Sequence, residues 1–470
     1  MKAVIKFMNI RSSLAILTAK LIIPLCRLLR HGGTTLPGRV AIKLYPNIIK
    51  KISQKFKIIM VTGTNGKTTT TRMIGKILKE NNVRFVTNNS GANLTSGLAT
   101  TLISAINANG KPKAPFALLE VDEAALKRVS SSINPDVLVI TNFFRDQLDR
   151  YGELYSTVAA VKTAITKFKN THLLLNSDDS LCAPLGKGTN LKVSHYGVEN
   201  EAYNFEPSSA NSDASFCIYC KKKYEYRYRV YGHLGGFFCS GCGYARPTTV
   251  SKCTKILKLD TETSEVEFKL PYPSGISSQT IKIGIPGLYN VYNALAAATC
   301  GTVLGFPPST IVKSLEKQES SFGRMETITS ETKNIKLILV KNPTGFNQVL
   351  SFVSTDQRNI HLALLLNDNF ADGTDISWIW DVDFEVLNHM QHRISKIYTS
   401  GTRCEDLAVR LKYAGLNVEK IEIIKDYKVM LEKVLEDATC KDLYILPTYT
   451  AMLDVRKVLV KKFNLKEFWN

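Results

Sequence analysis

The chain has 470 residues, 44% hydrophobic and 22% charged, which excludes global disorder, a collagen-like repeat and a polytopic membrane protein and leaves a multidomain globular chain. Lys and Arg number 61 against 41 Asp and Glu, a net charge of +20, so an acidic partner is expected; charge alone leaves nucleotide phosphates, anionic lipid headgroups and nucleic acid open. Ten cysteines are too dilute for a disulfide scaffold and no cleavable secretory signal stands out, so a reducing cytoplasm is expected.

Taken in chain order, the first apolar stretch, 14–29, is broken by Lys20, Pro24 and Arg27 before it reaches the roughly 18 uninterrupted apolar residues of a spanning helix. Residues 1–45 therefore read as a basic amphipathic helical segment, with docking on an anionic membrane surface and packing on its own domain both open. The apolar run 58–61 enters a Gly-rich turn and then a helical pattern over 68–78. Apolar runs 116–119, 137–140 and 173–175 alternate with longer helical patterns such as 156–168, which predicts a parallel sheet covered by helices with its site at the strands' carboxyl ends. This unit is expected over 46–320, interrupted at 199–255 by a Cys-, Tyr-, Gly- and Lys-rich insertion without periodicity. A helix is expected over 289–304 and a linker at Ser321-Phe322-Gly323-Arg324. A second alternating series at 337–340, 361–366, 397–399 and 443–446 predicts another, Rossmann-like α/β domain over 325–470.

Gly63-Thr64-Asn65-Gly66-Lys67-Thr68 lies between the first strand and helix, where backbone N–H groups and a helix N-terminus cradle phosphate. Lys67 is placed for the outer phosphates and Thr68 for a hydroxyl on Mg²⁺. The strict phosphate-loop pattern wants a glycine where Val61 stands, so a plain turn with a helix cap stays open. Glu120, at the end of the second run, is a hard oxygen ligand for the same metal or a solvated strand-end acid. The polar cluster over 141–150 taken alone could be a helix start.

The octapeptide Val61 to Thr68 resembles the signature of Mur ligases and folylpolyglutamate synthases, whose shortened phosphate loop lacks that glycine. Residues 290–297 resemble the segment those ligases use near the adenine, and Gly323-Arg324-Met325-Glu326 resembles their linker motif. The likeness covers most of the chain from about residue 34. It implies a Mur-ligase-like central ATPase domain in which Gly63, Thr64, Asn65, Gly66, Lys67, Thr68, Asn290, Asn293 and Arg324 bind ATP. In it Thr68 and Glu120 hold Mg²⁺, Asn290 and Asn293 meet the base, and Arg324 reaches the phosphates from the domain boundary.

Cys217-x-x-Cys220 and Cys239-x-x-Cys242 form two knuckles whose four thiolates would close a tetrahedral Zn²⁺ site, leaving no open position and hence a structural role; redox or disulfide pairing is the alternative. Between them, 221–229 interleaves bases with aromatics as a single-strand nucleic-acid binder does, but a ribbon hairpin with one solvated basic face is favoured, so no nucleic-acid partner is expected. Cys26, Cys182, Cys253, Cys300, Cys404 and Cys440 are scattered and read as packing residues.

In 366–381, Asn367, Asp368, Asn369, Asp372 and Asp375 crowd a strand end backed by Trp378 and Trp380, which suggests a rigid loop presenting carboxylates; a Ca²⁺ loop, whose spacing does not match the EF-hand, or a plain turn are alternatives. Together with the Cys₄ insertion and 141–150, this stretch resembles the MurT family, the Mur-ligase-like subunits of lipid II isoglutaminyl synthase. Lys341-Asn342-Pro343-Thr344-Gly345 also resembles MurT-type chains more than amino-acid-adding Mur ligases. The resemblance implies ATP-dependent amidation of the α-carboxyl of D-glutamate in the lipid II stem peptide through an acyl phosphate. Ammonia would come from a GatD-type glutaminase subunit, class I glutamine amidotransferase-like, in a heterodimer. Asp375 would complete that partner's Cys–His triad, and the chain would be cytoplasmic, peripheral at the inner membrane face where lipid II is met. An amino-acid-adding ligase of the folylpolyglutamate type and a zinc-ribbon nucleic-acid-binding ATPase are the rival readings.

Overall fold

The computed structural model describes residues 10–28, 33–88, 91–107, 110–146, 154–202, 213–273, 275–319, 325–330 and 332–465. Three helices, α1 (Ile10–Leu28), α2 (Leu36–Leu44) and α3 (Ile48–Ser53), precede strand β1 (Lys57–Thr62). All of β1 except Lys57 is buried, because helices cover both faces, and its β-branched side chains suit such a strand. The chain continues through α4 (Lys67–Glu80), β2 (Phe85–Thr87), α5 (Thr95–Ser104), β3 (Phe116–Glu120), α6 (Glu123–Val129), β4 (Val137–Ile140), α7 (Leu154–Ile165), β5 (His172–Asn176) and β6 (Lys192–Val198).

A two-stranded ribbon, β7 (Glu225–Tyr231) and β8 (Leu234–Phe238), follows, then β9 (Ser251–Leu259), β10 (Ser264–Tyr272) and β11 (Gly275–Ile283). The main sheet has the order β11-β10-β9-β6-β5-β4-β1-β3-β2, parallel from β2 to β9 and closed by the antiparallel β9–β10–β11 meander. Chain order reverses at β1, which pairs in parallel with β3 on one side and β4 on the other, and a crevice for ligand opens at such a switch point.

Helices α8 (Leu288–Val303) and α9 (Pro308–Glu316) lead to β12 (Glu326–Thr329), β13 (Asn334–Leu337), α10 (Pro343–Ser354), β14 (Ile360–Leu365), β15 (Ile394–Ser400), α11 (Cys404–Tyr413), β16 (Ile421–Ile423), α12 (Tyr427–Glu436), β17 (Asp442–Pro447) and α13 (Tyr449–Phe463). The second sheet runs β12-β13-β17-β14-β15-β16 and is parallel apart from β12. One buried apolar cluster runs from Ile59 and Met73 through Val291 to Val340 and Leu364, so the two units share a core boundary.

Two stretches differ from the periodicity reading. The strand expected over 337–340 begins at Asn334, although ladder-like bonds continue from Ile338 N to the Ile445 carbonyl (2.9 Å) and from Val340 N to that of Pro447 (3.0 Å). Asn334 and Lys336 hide the strand from a search for apolar runs; Lys336 is buried along its stem and its ammonium donates to the Thr261 carbonyl and to Glu262 (3.0 Å). The meander over 251–283 was also not visible as strands, because half of its side chains face outward and are Lys, Glu, Thr and Ser. The six scattered cysteines are all buried, as expected of packing residues.

Candidate active site

The turn after β1 is built on two glycines that nothing else could replace. Gly63 has φ 122°, and a Cβ there would lie 2.3 Å from Thr141 Oγ1; Gly66 has φ 83°, and its Cβ would lie 2.1 Å from Asn293 Oδ1. The turn delivers Lys67 and Thr68 as the first residues of α4, whose free N–H groups and dipole favour an anion. Lys67 Nζ donates to the Gly63 carbonyl (2.5 Å) and to both carboxylate oxygens of Glu123 (3.2 and 3.3 Å). Burial pulls its pKa down, and the field of Glu123, Asp122, Glu120 and Asp146 more than offsets this, holding the ammonium up at about 12.

Thr64, Asn65, Gly66, Lys67, Thr68, Glu120, Asn290 and Asn293 all line one cavity of about 390 Å³, so the structure brings these separately identified residues together. Gly63 lies behind them with its carbonyl taken by Lys67, and Arg324 lies outside the described residues. Thr68 Oγ1 is buried without a hydrogen-bond partner, and Glu120 shares the cavity with Asn93 Nδ2 on its Oε1 at 3.3 Å. A free hydroxyl and a carboxylate on one cavity are the hard oxygen donors a divalent cation takes, so this pair fits Mg²⁺.

Asn293 and Asn290 face the loop from α8: Asn293 Nδ2 donates to Asn290 Oδ1 (3.0 Å), Thr70 Oγ1 donates to Asn293 Oδ1 (3.3 Å), and Asn290 Nδ2 donates to the Pro286 carbonyl (2.7 Å). Their amides thus buttress the turn at Gly66. On the other side Asn142 Oδ1 accepts from Asn65 N (2.9 Å), and Asn342 Nδ2 from the carboxy-terminal unit donates to Asn65 Oδ1 (3.2 Å). Lys341 and Asp146 bridge the same boundary at 2.7 Å, and both line the cavity. Glu123 and Tyr231 were not identified from sequence, and Asn142, Phe144 and Asp146 were singled out only as members of the polar cluster over 141–150, without a role. The available signal was position: Asp122-Glu123 follow Glu120 directly, and Asp122 caps α6 by accepting from Ala124 N and Ala125 N.

Cys217, Cys220, Cys239 and Cys242 present sulfurs all within 4.8 Å of one another, and among the described residues they are the one group of three or more His, Cys, Asp or Glu able to hold a metal ion. Each knuckle turns through a left-handed residue after its second cysteine, Lys221 (φ 63°) and Gly243 (φ 74°). Burial raises the Cys217 thiol, but N–H donors of Cys220 and Tyr219 together with the Cys242 and Cys239 thiols bring it down, while its sulfur neighbours push Cys242 up, so the four thiols titrate as one cluster. The aromatics of 221–229 are engaged within the protein: Tyr224 packs on Phe237 (centroids 5.3 Å), the Arg229 guanidinium lies 4.1 Å from the Tyr226 ring centroid, and Tyr228 OH donates to the Val198 carbonyl of β6 (2.7 Å). A buried acid pair ties ribbon to sheet, Asp178 accepting from Arg246 Nε and Tyr292 OH (both 2.6 Å) and Asp179 meeting His233 Nε2 at 3.2 Å.

The loop after β14 sorts its three aspartates. Asp368 pairs with Arg403 (3.2 Å), while Asp372 is buried, lines the cavity and accepts from Thr450 N (2.7 Å) and Thr450 Oγ1, with its pKa pushed up by burial. Asp375 is exposed, away from the cavity, and accepts from Ser377 N (2.8 Å) in an Asx turn. Trp378 packs beside Phe346 (6.4 Å), which anchors the turn that carries Asp375.

A shortened phosphate loop at the switch point of a mostly parallel sheet, roofed by a second α/β unit, defines the Mur ligase class. The fold agrees: the chain superposes on a pseudomurein peptide ligase type C from Methanothermus fervidus with TM-score 0.66 over 89% of this chain and 81% of that one, at 22% identity. Residues 61–235 match the Mur ligase middle domain and 339–452 the MurT ligase C-terminal domain. The chain is 37% identical, over 98% of its length and 100% of the relative's, to the lipid II isoglutaminyl synthase (glutamine-hydrolyzing) subunit MurT of Streptococcus pneumoniae. It is 34% identical to the subunit of the same name from Staphylococcus aureus, over 96% of this chain and 98% of that one. The chain belongs to the MurT family.

Proposed function

We propose that the chain is the ligase subunit of a lipid II isoglutaminyl synthase, amidating the α-carboxyl of D-glutamate in the lipid II stem peptide. The observation that carries this reading is the single cavity walled by the phosphate loop and Glu120 on one side and by Lys341, Thr344 and Gln348 of the MurT-type unit on the other. A carboxylate resists attack until phosphorylated. Transfer of the γ-phosphoryl group of ATP gives an acyl phosphate and ADP, and ammonia then attacks the acyl carbon, expelling phosphate and leaving the amide after loss of a proton. Lys67 is positioned by Glu123 to meet phosphate oxygens, Arg324 is assigned to the nucleotide across the linker, and Asn290 and Asn293 to the base side. Thr68 and Glu120 would hold Mg²⁺, which when bound neutralises phosphate charge. The relatives are named as subunits, and a GatD-type glutaminase partner is assigned as the ammonia source, with Asp375 directed at it and lipid II met at the inner membrane face. Purified with that partner and given lipid II, ATP and labelled glutamine, the chain should produce amidated lipid II carrying the label. Incorporation of an amino acid instead would support the amino-acid-adding reading and overturn this one.

Glu120→Ala is expected to lower turnover strongly, with partial recovery at raised Mg²⁺, because the cation loses its carboxylate but keeps the Thr68 hydroxyl and the phosphates. Wild-type activity at ordinary Mg²⁺ would return Glu120 to a structural role.

For the ribbon, elemental analysis is expected to find one Zn²⁺ per chain on Cys217, Cys220, Cys239 and Cys242. Its removal should unfold the insertion and lower the melting temperature, since this small cluster has few apolar side chains of its own. A metal-free chain with an unchanged melt would end the structural assignment.

A further inference from the structure

We propose that the outward face of α1 is a docking surface for an anionic lipid bilayer. The helix is apolar on two opposite faces. Ala15, Ile16, Ala19 and Cys26 are buried, against α2 and α5, so the inner face is already used. The opposite face carries Ile10, Leu14, Leu17, Leu21 and Leu25, spaced at helical intervals and 85%, 57%, 53%, 72% and 54% exposed. A continuous leucine stripe of this kind on a surface helix marks an interaction site.

Charge selects the occupant. No Asp or Glu occurs before Glu80, whereas Arg11, Arg39, Lys43 and Lys50 are exposed on α1 to α3. An apolar stripe in a segment carrying only positive charge suits an anionic headgroup layer, to which Lys and Arg are drawn within a Debye length. A second copy of this face would bring the same positive charge against it. The helix cannot cross the bilayer: no described helix is long and apolar enough, and Lys20 Nζ is tied to the Ile106 carbonyl at 2.6 Å. It therefore lies in the plane of the interface. Its neighbour α5 begins directly after Asn93 and Leu94, which line the cavity, so the seated face and the cavity belong to one block of helices. The inference rests on this face and its charge, not on the identity of the reaction.

The test is flotation of the full chain with vesicles of phosphatidylglycerol and phosphatidylcholine, against phosphatidylcholine alone, at low and high salt. The wild type should float with the anionic vesicles, at least tenfold less with neutral ones, and less at high salt. Leu17→Glu and Leu21→Glu, each at an exposed position, should lower anionic partition at least tenfold while melting like the wild type. Arg39→Glu with Lys43→Glu provides a second variant that leaves the leucine stripe intact and should also weaken flotation. Amidation of a lipid-free substrate should be unchanged in all of them, so a failure of docking is told apart from a failure of the proposed reaction. Equal flotation of wild type and variants, or equal binding to neutral vesicles, overturns the proposal. So does a wild-type dimer that Leu21→Glu dissociates, which would assign the face to a second copy.

Discussion

Lys67→Ala is expected to lower ATP-dependent amidation by about 10²–10³-fold, the scale of removing one preorganised donor from a developing charge. Lys67 opens α4 directly after the loop, and its four acidic neighbours keep it charged far above neutral pH. The same substitution strands Glu123, which is 6% exposed, and breaking a buried pair costs about 3–5 kcal/mol, so the melting temperature should fall as well. Stability and chemistry can be separated. Glu123→Gln keeps the Lys67 ammonium and should retain much of the turnover, and combining it with Lys67→Ala should restore the melt but not the activity. ADP release and thermal melts on the four proteins provide the comparison. Turnover of Lys67→Ala within a few-fold of wild type would remove the loop from the reaction.

Asp375→Asn is expected to reduce glutamine-driven amidation by up to about 10⁴-fold, the scale for losing the group that orients a triad histidine, while sparing most of the reaction fed by concentrated ammonium. Of the loop's three aspartates, Asp368 is paired with Arg403 and Asp372 is bound to Thr450 inside the cavity wall, whereas Asp375 is exposed on a turn anchored by Trp378. Asparagine keeps the size of the side chain and an oxygen for the Asx turn, so the complex should persist on gel filtration. Equal loss with both nitrogen sources, with the complex intact, would place Asp375 in the ligase chemistry; no loss with either would end its assignment to the partner.

The parts of the site that were legible before the structure are contiguous in the chain. The phosphate loop and the two knuckles are each specified within a few residues, because a tight turn needs glycine at fixed offsets and a metal needs thiolates at fixed spacing. Strand β1 and helix α4 were legible for the same reason, since period and end signals are local. Strand β13 and the meander were not, because long Lys stems and outward polar residues replace apolar runs there.

The sequence by itself determined the chemistry on offer: a shortened phosphate loop, four paired thiols, an acidic loop backed by tryptophans, and a first segment of 79 residues without an acid. Tertiary structure alone decided which of these groups are engaged and with what. Glu123 reaches Lys67 across 56 positions because β1 and β3 lie side by side in one sheet, and Asn342 reaches Asn65 across 277 because the two α/β units meet there; neither pairing is set by local spacing. The same holds at α1, which is apolar on two opposite faces: its contact with α2 and α5, not its periodicity, buried one of them and left the other, a stripe of Ile10 and four leucines, facing out. Propensity and pattern act over a few residues, whereas burial is a property of the packed chain, so the fate of each side chain was settled only when the layers met.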